Sequence, residues 1–342
     1  MKLLPNSNGV YKVNMKTKKN PKEKLRSIFI IIFIILALGF VYQKINNFII
    51  KETLKERVDY VRVDEKRLDF KIEGSGSNYT VVFDGNIGAN LNQWNPIVET
   101  LTTDYDDLTT FVYNRRGYGF SDIGSIRTPK EQAEDLRILL RKSAAKAPYI
   151  LVGEDYGSLV LTEFAKEYPD LVAGVILVNP LVEQEINTKE FKNKLFLERL
   201  RRKIESIGSN FAFTYLLDTI NLDTKVEDFE KSLDENSLIE FKAHRTKSNY
   251  TKAVYNEILN ITSGNNTSQQ TEVFAGKPYY LIAKSNQESL EGLGDKDLTK
   301  LYTTNLDSDF ISIDNQESVI NGIRQVVKQA NEIERTEKAN KN

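Results

Sequence analysis

The sequence predicts an α/β fold: a mostly parallel sheet with helices on both faces, a helical cap inserted in it, and one transmembrane helix ahead of it. Three observations carry this. From residue 58 onward, short apolar runs of the buried-strand type alternate with helical patterns, the signature of a sheet covered on both faces. Residues 181–272 break the rhythm with charged amphipathic helices, and the alternation resumes near residue 273. Residues 28–42 form an uninterrupted apolar run, Ile-Phe-Ile-Ile-Ile-Phe-Ile-Ile-Leu-Ala-Leu-Gly-Phe-Val-Tyr.

As a helix that run spans roughly 22 Å, short of the ~30 Å hydrocarbon core. Gln43 and Lys44 snorkel, and Ile45, Phe48, Ile49 and Ile50 continue the apolar face, giving an anchor over 28–50. Lys12, Lys16, Lys18, Lys19, Lys22, Lys24 and Arg26 precede it, while fewer basic residues follow, mixed with Glu52 and Glu56. This asymmetry predicts a single-pass membrane protein with residues 1–27 in the cytoplasm and the main domain outside. Ala37-Leu38-Gly39 has the small-x-small form of a signal cleavage site. The long basic leader favours an uncleaved anchor instead, with the lipid bilayer as the partner of residues 28–50.

In chain order, residues 51–57 read as a charged linker, followed by edge strands at 58–63 and 68–73. Residues 79–83 are a strand leading into the loop Gly85-Asn86-Ile87-Gly88, and a helix at 91–101 carries Trp94. A strand at 108–113 precedes Thr128-Pro129-Lys130-Glu131, a helix start with an N-cap, a proline at the first helical position and a capping-box glutamate. That helix ends near Ser143. Strand 148–153 enters Gly153-Glu154-Asp155-Tyr156-Gly157, a glycine-flanked turn into a helix from Ser158, and strand 174–179 follows. Cap helices are expected at 189–206, 211–220, 226–233 and 237–259, then a strand at 278–283 and a helix at 317–330. The core is thus 58–180 with 273–332, the cap 181–272, and 333–342 a Lys/Glu-rich disordered tail.

Composition bounds the chemistry. Lys+Arg 47 against Asp+Glu 48 leaves no excess charge to attract nucleic acid. With no cysteine there are no disulfides, thiolate nucleophiles or cysteine metal sites, and one histidine leaves little room for a general base. Neither metal nor cofactor is predicted. An oxygen-only cation site from Glu154, Asp155 and Asp309 ranks below that reading, because their spacing matches no known ligand set.

The chain resembles the α/β-hydrolase superfamily over about residues 58–332. Tyr113-Asn-Arg-Arg-Gly-Tyr-Gly-Phe-Ser-Asp122 is similar to the family's segment after the fourth strand. Pro148-Tyr-Ile-Leu-Val-Gly153 and Val172-Ala-Gly-Val-Ile-Leu-Val-Asn-Pro180 resemble its fifth and sixth strands, and the glycine turn its nucleophile elbow, G-x-S-x-G. The resemblance implies roles by position. Asp155 stands at the nucleophile, Asp309 at the histidine, Ser312 at a second histidine, and Asn179 or Glu288 at the acid. Asn86, Ile87 and Tyr156 stand at the oxyanion hole.

An aspartate at the elbow is what haloalkane dehalogenases and epoxide hydrolases of this superfamily use. Their ester intermediate is released by a histidine-activated water. Here the histidine position is a carboxylate, a weak base for water. Facing Asp155, Asp309 would repel a second charge or share a proton with it. His244, the only imidazole, falls in a charged cap helix and reads as a solvated residue; Ser158 reads as a local hydrogen-bonding residue. The expected function is a catalytically degenerate, membrane-anchored module that binds a small-molecule ligand or a protein. The alternatives are an active hydrolase of ester, epoxide or haloalkane-type substrates with Asp155 as nucleophile, or a serine-type esterase in a different alignment.

Overall fold

The computed structural model describes residues 20–54, 58–76, 78–104, 107–220, 224–263, 266–283 and 287–341. Its strands are β1 (Asp59–Val63), β2 (Lys66–Glu73), β3 (Tyr79–Asp84), β4 (Leu108–Tyr113), β5 (Tyr149–Asp155), β6 (Val172–Pro180), β7 (Tyr279–Ala283) and β8 (Thr299–Thr303). They form one sheet in the order β1-β2-β4-β3-β5-β6-β7-β8. β2 is antiparallel to both neighbours, and every pair from β3·β4 to β7·β8 is parallel.

Side chains alternate along the central strands, so each strand feeds two cores. Val82, Leu151, Leu177 and Leu281 face one core; Val81, Ile150, Ile176 and Ile282 face the other. Helix α1 (Pro21–Thr53) precedes the sheet. Helix α2 (Asn95–Asp104) covers the second core with Ile97 and Leu101. Helices α3 (Pro129–Lys142) and α4 (Tyr156–Glu167) cover the first with Leu136, Leu140, Leu159 and Phe164. The start of α3 is the predicted capping box: Thr128 Oγ1 accepts from the Glu131 N–H, and Glu131 accepts from the Thr128 N–H at 2.8 Å.

The cap follows β6. It consists of α5 (Glu183–Ile186), α6 (Lys189–Lys194), α7 (Phe196–Gly208), α8 (Phe213–Thr219), α9 (Thr224–Ser232), α10 (Glu235–Arg245) and α11 (Ser248–Ser263). Two expected single helices are each divided. The 189–206 helix breaks at Leu195, and the 237–259 helix breaks between α10 and α11. At that second corner Gln43 Nε2 of α1 donates to the Thr246 carbonyl at 3.0 Å, satisfying an acceptor that a continuous helix would have used internally.

After β7 come α12 (Glu288–Glu291), β8, α13 (Ile311–Asp314) and α14 (Gln316–Lys341). α14 corrects one expectation, because residues 333–341 continue the helix where a disordered tail was expected. The Glu334–Lys338 pair lies one turn apart there, and the Tyr79 hydroxyl donates to Asn331 at 3.2 Å.

α1 is 33 residues long, and its most apolar 18-residue stretch has mean hydropathy 2.5 with none of it buried. It is long and apolar enough to cross a membrane. It extends past the expected anchor to Thr53, taking in part of the 51–57 linker, of which 55–57 lie outside the described residues. Its C-terminal half packs on the cap. The rings of Phe40 and Phe211 lie 6.3 Å apart, Tyr42 meets Tyr215 edge-on at 5.3 Å, and Gln43 and Ile50 are buried.

Candidate functional site

The elbow has the predicted geometry. Asp155 ends β5 with φ 51° and ψ −119°, a left-handed conformation that strains any residue but glycine. Neighbouring backbone enforces it: a Cβ on Gly157 would lie 2.3 Å from the Asp84 carbonyl oxygen, and one on Gly153 2.9 Å from the Ser158 Cα. Asn179 also takes a positive φ of 40°, where the β5–β6 register slips between Glu154 and Asp155. Ser158 is buried; it donates to the Asp155 carbonyl at 2.5 Å and accepts from the Leu181 N–H at 3.3 Å. Both its hydroxyl proton and a lone pair are thus committed, as the sequence suggested.

The oxyanion loop is tied down by side chains from outside it. The Asn86 N–H donates to Gln93 Oε1 at 3.1 Å, the Ile87 N–H to Asp155 Oδ2 at 3.2 Å, and the Gly88 N–H to the Tyr118 hydroxyl at 3.2 Å. Its carbonyls are held as well: Gly85 and Asn86 accept from Arg115, and Gly88 accepts from the Tyr250 hydroxyl at 2.7 Å. A hole that stabilises a developing oxyanion keeps donors aimed at the place the oxyanion will occupy. In this loop the three N–H groups already have protein partners.

Arg115 is the centre of the surrounding network. Its guanidinium pairs with Asp84 and reaches Glu257 of α11 through Nε at 2.7 Å and Nη2 at 3.1 Å. It lies over the rings of Tyr118 and Tyr156, and the Tyr118 hydroxyl donates to Glu257 at 2.6 Å. Burial alone would lower the Arg115 pKa, but Asp84 and Glu257 outweigh it and hold the pKa well above its ordinary value, so the guanidinium stays charged. Asn260, also of α11, donates to the Tyr156 hydroxyl at 2.8 Å. The cap is therefore fixed to the core directly over the elbow by buried polar contacts.

A second buried cluster lies beneath the elbow. Glu154 accepts from Gln93 Nε2 at 2.7 Å, from the Ser312 N–H at 3.2 Å and from the Ser312 hydroxyl. Burial raises the Glu154 pKa to about 8, and the neighbouring Asp155 charge adds to the rise. Ser312, at the second-histidine position, is thus a partner of Glu154. Sequence reading named both residues but missed Gln93, which holds the oxyanion loop and Glu154 together. Its one signal was a polar residue beside Trp94 at the start of a helix.

The remaining candidates are dispersed. Asp309 is exposed and lines an open cleft of about 660 Å³ with Asp228, Asp307 and Asp314, while its backbone carbonyl accepts from Asn86 Nδ2 at 2.6 Å. Asp309 is thus exposed, and Glu154 is the fully buried carboxyl at the elbow. The Glu288 side chain lies outside the described residues. Among the described residues, no three His, Cys, Asp or Glu side chains are grouped to hold a metal ion.

His244 is also corrected, because it is buried at 3% exposure rather than solvated. Its ring packs edge-on against Phe120 at 4.5 Å, Nδ1 sits 3.2 Å from Lys247 Nζ, and Nε2 has no hydrogen-bond partner among the described residues. Burial, then the Lys247 charge, lowers its pKa to about 3. Neither ring nitrogen serves Asp155.

Comparisons with known proteins agree with this architecture. The chain is 29% identical over 105 residues to YqjL, an uncharacterised protein of Bacillus subtilis, covering 30% of this chain and 40% of that one. It is 31% identical over 127 residues to the 2-(acetamidomethylene)succinate hydrolase of Mesorhizobium japonicum, covering 36% and 44%. The chain thus spans less than half the length of the curated relatives it matches. The epoxide hydrolase CorEH superposes with a TM-score of 0.58 at 13% identity, over 80% of this chain and 98% of that one. An epoxide hydrolase from Vigna radiata gives 0.60 at 15%, over 80% and 98%. At these identities the likeness is one of fold. The α/β-hydrolase fold family itself matches residues 81–290, most of the chain, and with the sheet order and elbow above this protein belongs to it.

Proposed function

We propose that this protein is a membrane-tethered, non-hydrolytic member of its family, acting as a module that binds a small molecule or a protein partner. One observation supports the reading: among the described residues, no imidazole stands beside Asp155. The only imidazole is buried in the cap against Phe120 and Lys247, and the two histidine positions hold an exposed Asp309 and a Ser312 bound to Glu154. The Asn86 and Gly88 N–H groups, taken up by Gln93 and Tyr118, support the same reading.

The second reading is a hydrolase that forms an ester on Asp155, and one contact favours it. With Oδ2 held by the Ile87 N–H, Asp155 has the arrangement in which one oxygen sits in the oxyanion site while the other attacks. The two readings divide at turnover, because releasing the ester needs an activated water. The full chain in detergent is expected to give no hydrolysis above background with p-nitrophenyl esters, epoxides or haloalkanes, and no labelling by fluorophosphonates. Turnover that disappears in Asp155→Asn would establish the hydrolase.

The bilayer is the proposed partner of α1, with the N-terminus in the cytoplasm and the α/β domain outside, as the basic leader suggests. Protease added to intact cells is then expected to digest the α/β domain while sparing the N-terminal leader. Protection of the domain would reverse the orientation, and recovery of a soluble form starting near Phe40 would replace the anchor with a cleaved signal.

A further inference from the structure

Helix α7 is inside out. Its buried face is polar, carrying Arg202, Glu205 and Ser206, with Arg202 paired to Glu198 and Glu205. Its outer face is Phe196, Leu197, Leu200, Ile204 and Ile207, all exposed with α1 in place, Leu197 at 74% and Ile207 at 60%. At about 100° per residue these five fall within an arc of roughly 100°, the width of a core-facing stripe, yet none of the described residues covers them. The same helix in a soluble cap would place this stripe inward. The next helix, α8, adds Leu216 and, just beyond its end, Ile220 to the exposed apolar surface.

The position of this surface identifies what covers it. The turn between α7 and α8 is the place where α1 docks, with Phe211 against Phe40 and so near Gly39 that a Cβ there would lie 2.3 Å from the Phe211 carbonyl oxygen. Residues 39–42 close the uninterrupted apolar run of α1, and from Gln43 onward the helix packs on the cap. The apolar face of α7–α8 therefore adjoins α1 at the level where a spanning helix leaves the hydrocarbon. Charge agrees: residues 189–208 hold seven Lys or Arg against three Glu, and Lys203 and Arg201 flank the apolar arc on either side. Apolar side chains with basic neighbours are the composition of a helix lying in an anionic membrane interface.

From these we infer that the α7–α8 face of the cap is a second membrane-binding surface, seated in the headgroup–acyl boundary of the bilayer that α1 crosses. The domain then rests cap-down, with the elbow and its polar network directed toward the lipid. The inference rests on α1 being the span, and its test reads the two separately.

The chain has no cysteine, so single substitutions place a probe cleanly. Leu200→Cys, Ile207→Cys, Phe33→Cys in α1 and Glu99→Cys on exposed α2 are each labelled with NBD. The full chain is then reconstituted in phosphatidylcholine–phosphatidylglycerol vesicles with or without lipids carrying a shallow doxyl group. Positions 200 and 207 are expected to show blue-shifted emission and a roughly twofold loss of intensity with doxyl lipid, as depths of about 5–10 Å require; position 99 is expected to show neither. Quenching at 33 but not at 200 or 207 overturns the inference and leaves the span intact. A blue shift at 200 and 207 without doxyl quenching also overturns it, by showing that a second copy covers the face. Loss of quenching at 33 removes the span and the inference with it.

Discussion

Arg115→Met is expected to lower stability by about 3–5 kcal/mol, because it leaves Asp84 and Glu257 buried without their cation. For a domain of this size that is a fall in Tm of roughly 10 °C. The loss should be strongly non-additive. Glu257→Met alone strands part of the guanidinium, whereas Arg115→Met with Glu257→Met fills the space with apolar atoms and leaves only Asp84 without its cation. The double variant is therefore expected to melt well above the sum of the single losses. Thermal melts of the four proteins in detergent check this. Additive losses, or an Arg115→Met protein within about 1 kcal/mol of wild type, would mean that the network does not bind cap to core.

The second large effect is pH-dependent and belongs to Glu154. Its folded pKa, about 8, lies above the ordinary value of 4.5 because burial penalises the anion. The folded chain therefore holds a proton that the unfolded chain gives up above pH 4.5. Stability is complete below that value and is lost as pH rises toward 8. Asp69, raised by burial to about 6, acts in the same direction at lower pH. His244, lowered to about 3, acts oppositely, costing stability as pH falls below 6.5. Between pH 6.5 and 8 Glu154 is the one of these three still changing, and wild type is expected to lose on the order of 2 kcal/mol there. Glu154→Gln keeps an acceptor for the Ser312 and Gln93 donors and removes the titration. Its Tm should be nearly flat across that interval, with a small rise near pH 8 where Lys247, lowered by burial to about 8, starts to lose its proton, and should lie above wild type at pH 8. A wild-type Tm that does not fall from pH 6.5 to 8 would show that Glu154 ionises without cost.

What the sequence revealed and what it hid divide along a physical line. Signals within a few residues were legible: the glycines that make the elbow possible, the capping box at Thr128, and the apolar strands β3 to β7. β8 was not, because Thr299-Lys-Leu-Tyr-Thr303 is an edge strand with a half-exposed, mixed sequence and no apolar run. The division of α10 from α11 was hidden because residues 244–248 are not breakers by type, and the partner of that corner, Gln43, lies 203 residues away. The candidate site failed for the same reason. Glu154 meets Gln93 across 61 residues and Ser312 across 158, and Arg115 meets Glu257 across 142. His244 misled through its neighbours, since Lys242, Arg245 and Lys247 suggest a wet helix while the ring itself is buried against Phe120.

The fixing of α11 has a kinematic consequence. A lid that admits a guest swings about an axis, and an axis exists only while one side of the moving part is free. α11 is held toward the sheet by Tyr250, Glu257 and Asn260. Just before its first turn, the corner at Thr246 is held by Gln43 of α1. Anchored at both margins, it has no line left to turn about. Swinging the cap off the sheet must break the Arg115 pairing, and it must also break the Gln43 contact or carry the end of α1 along, so opening the cap is coupled to movement of α1.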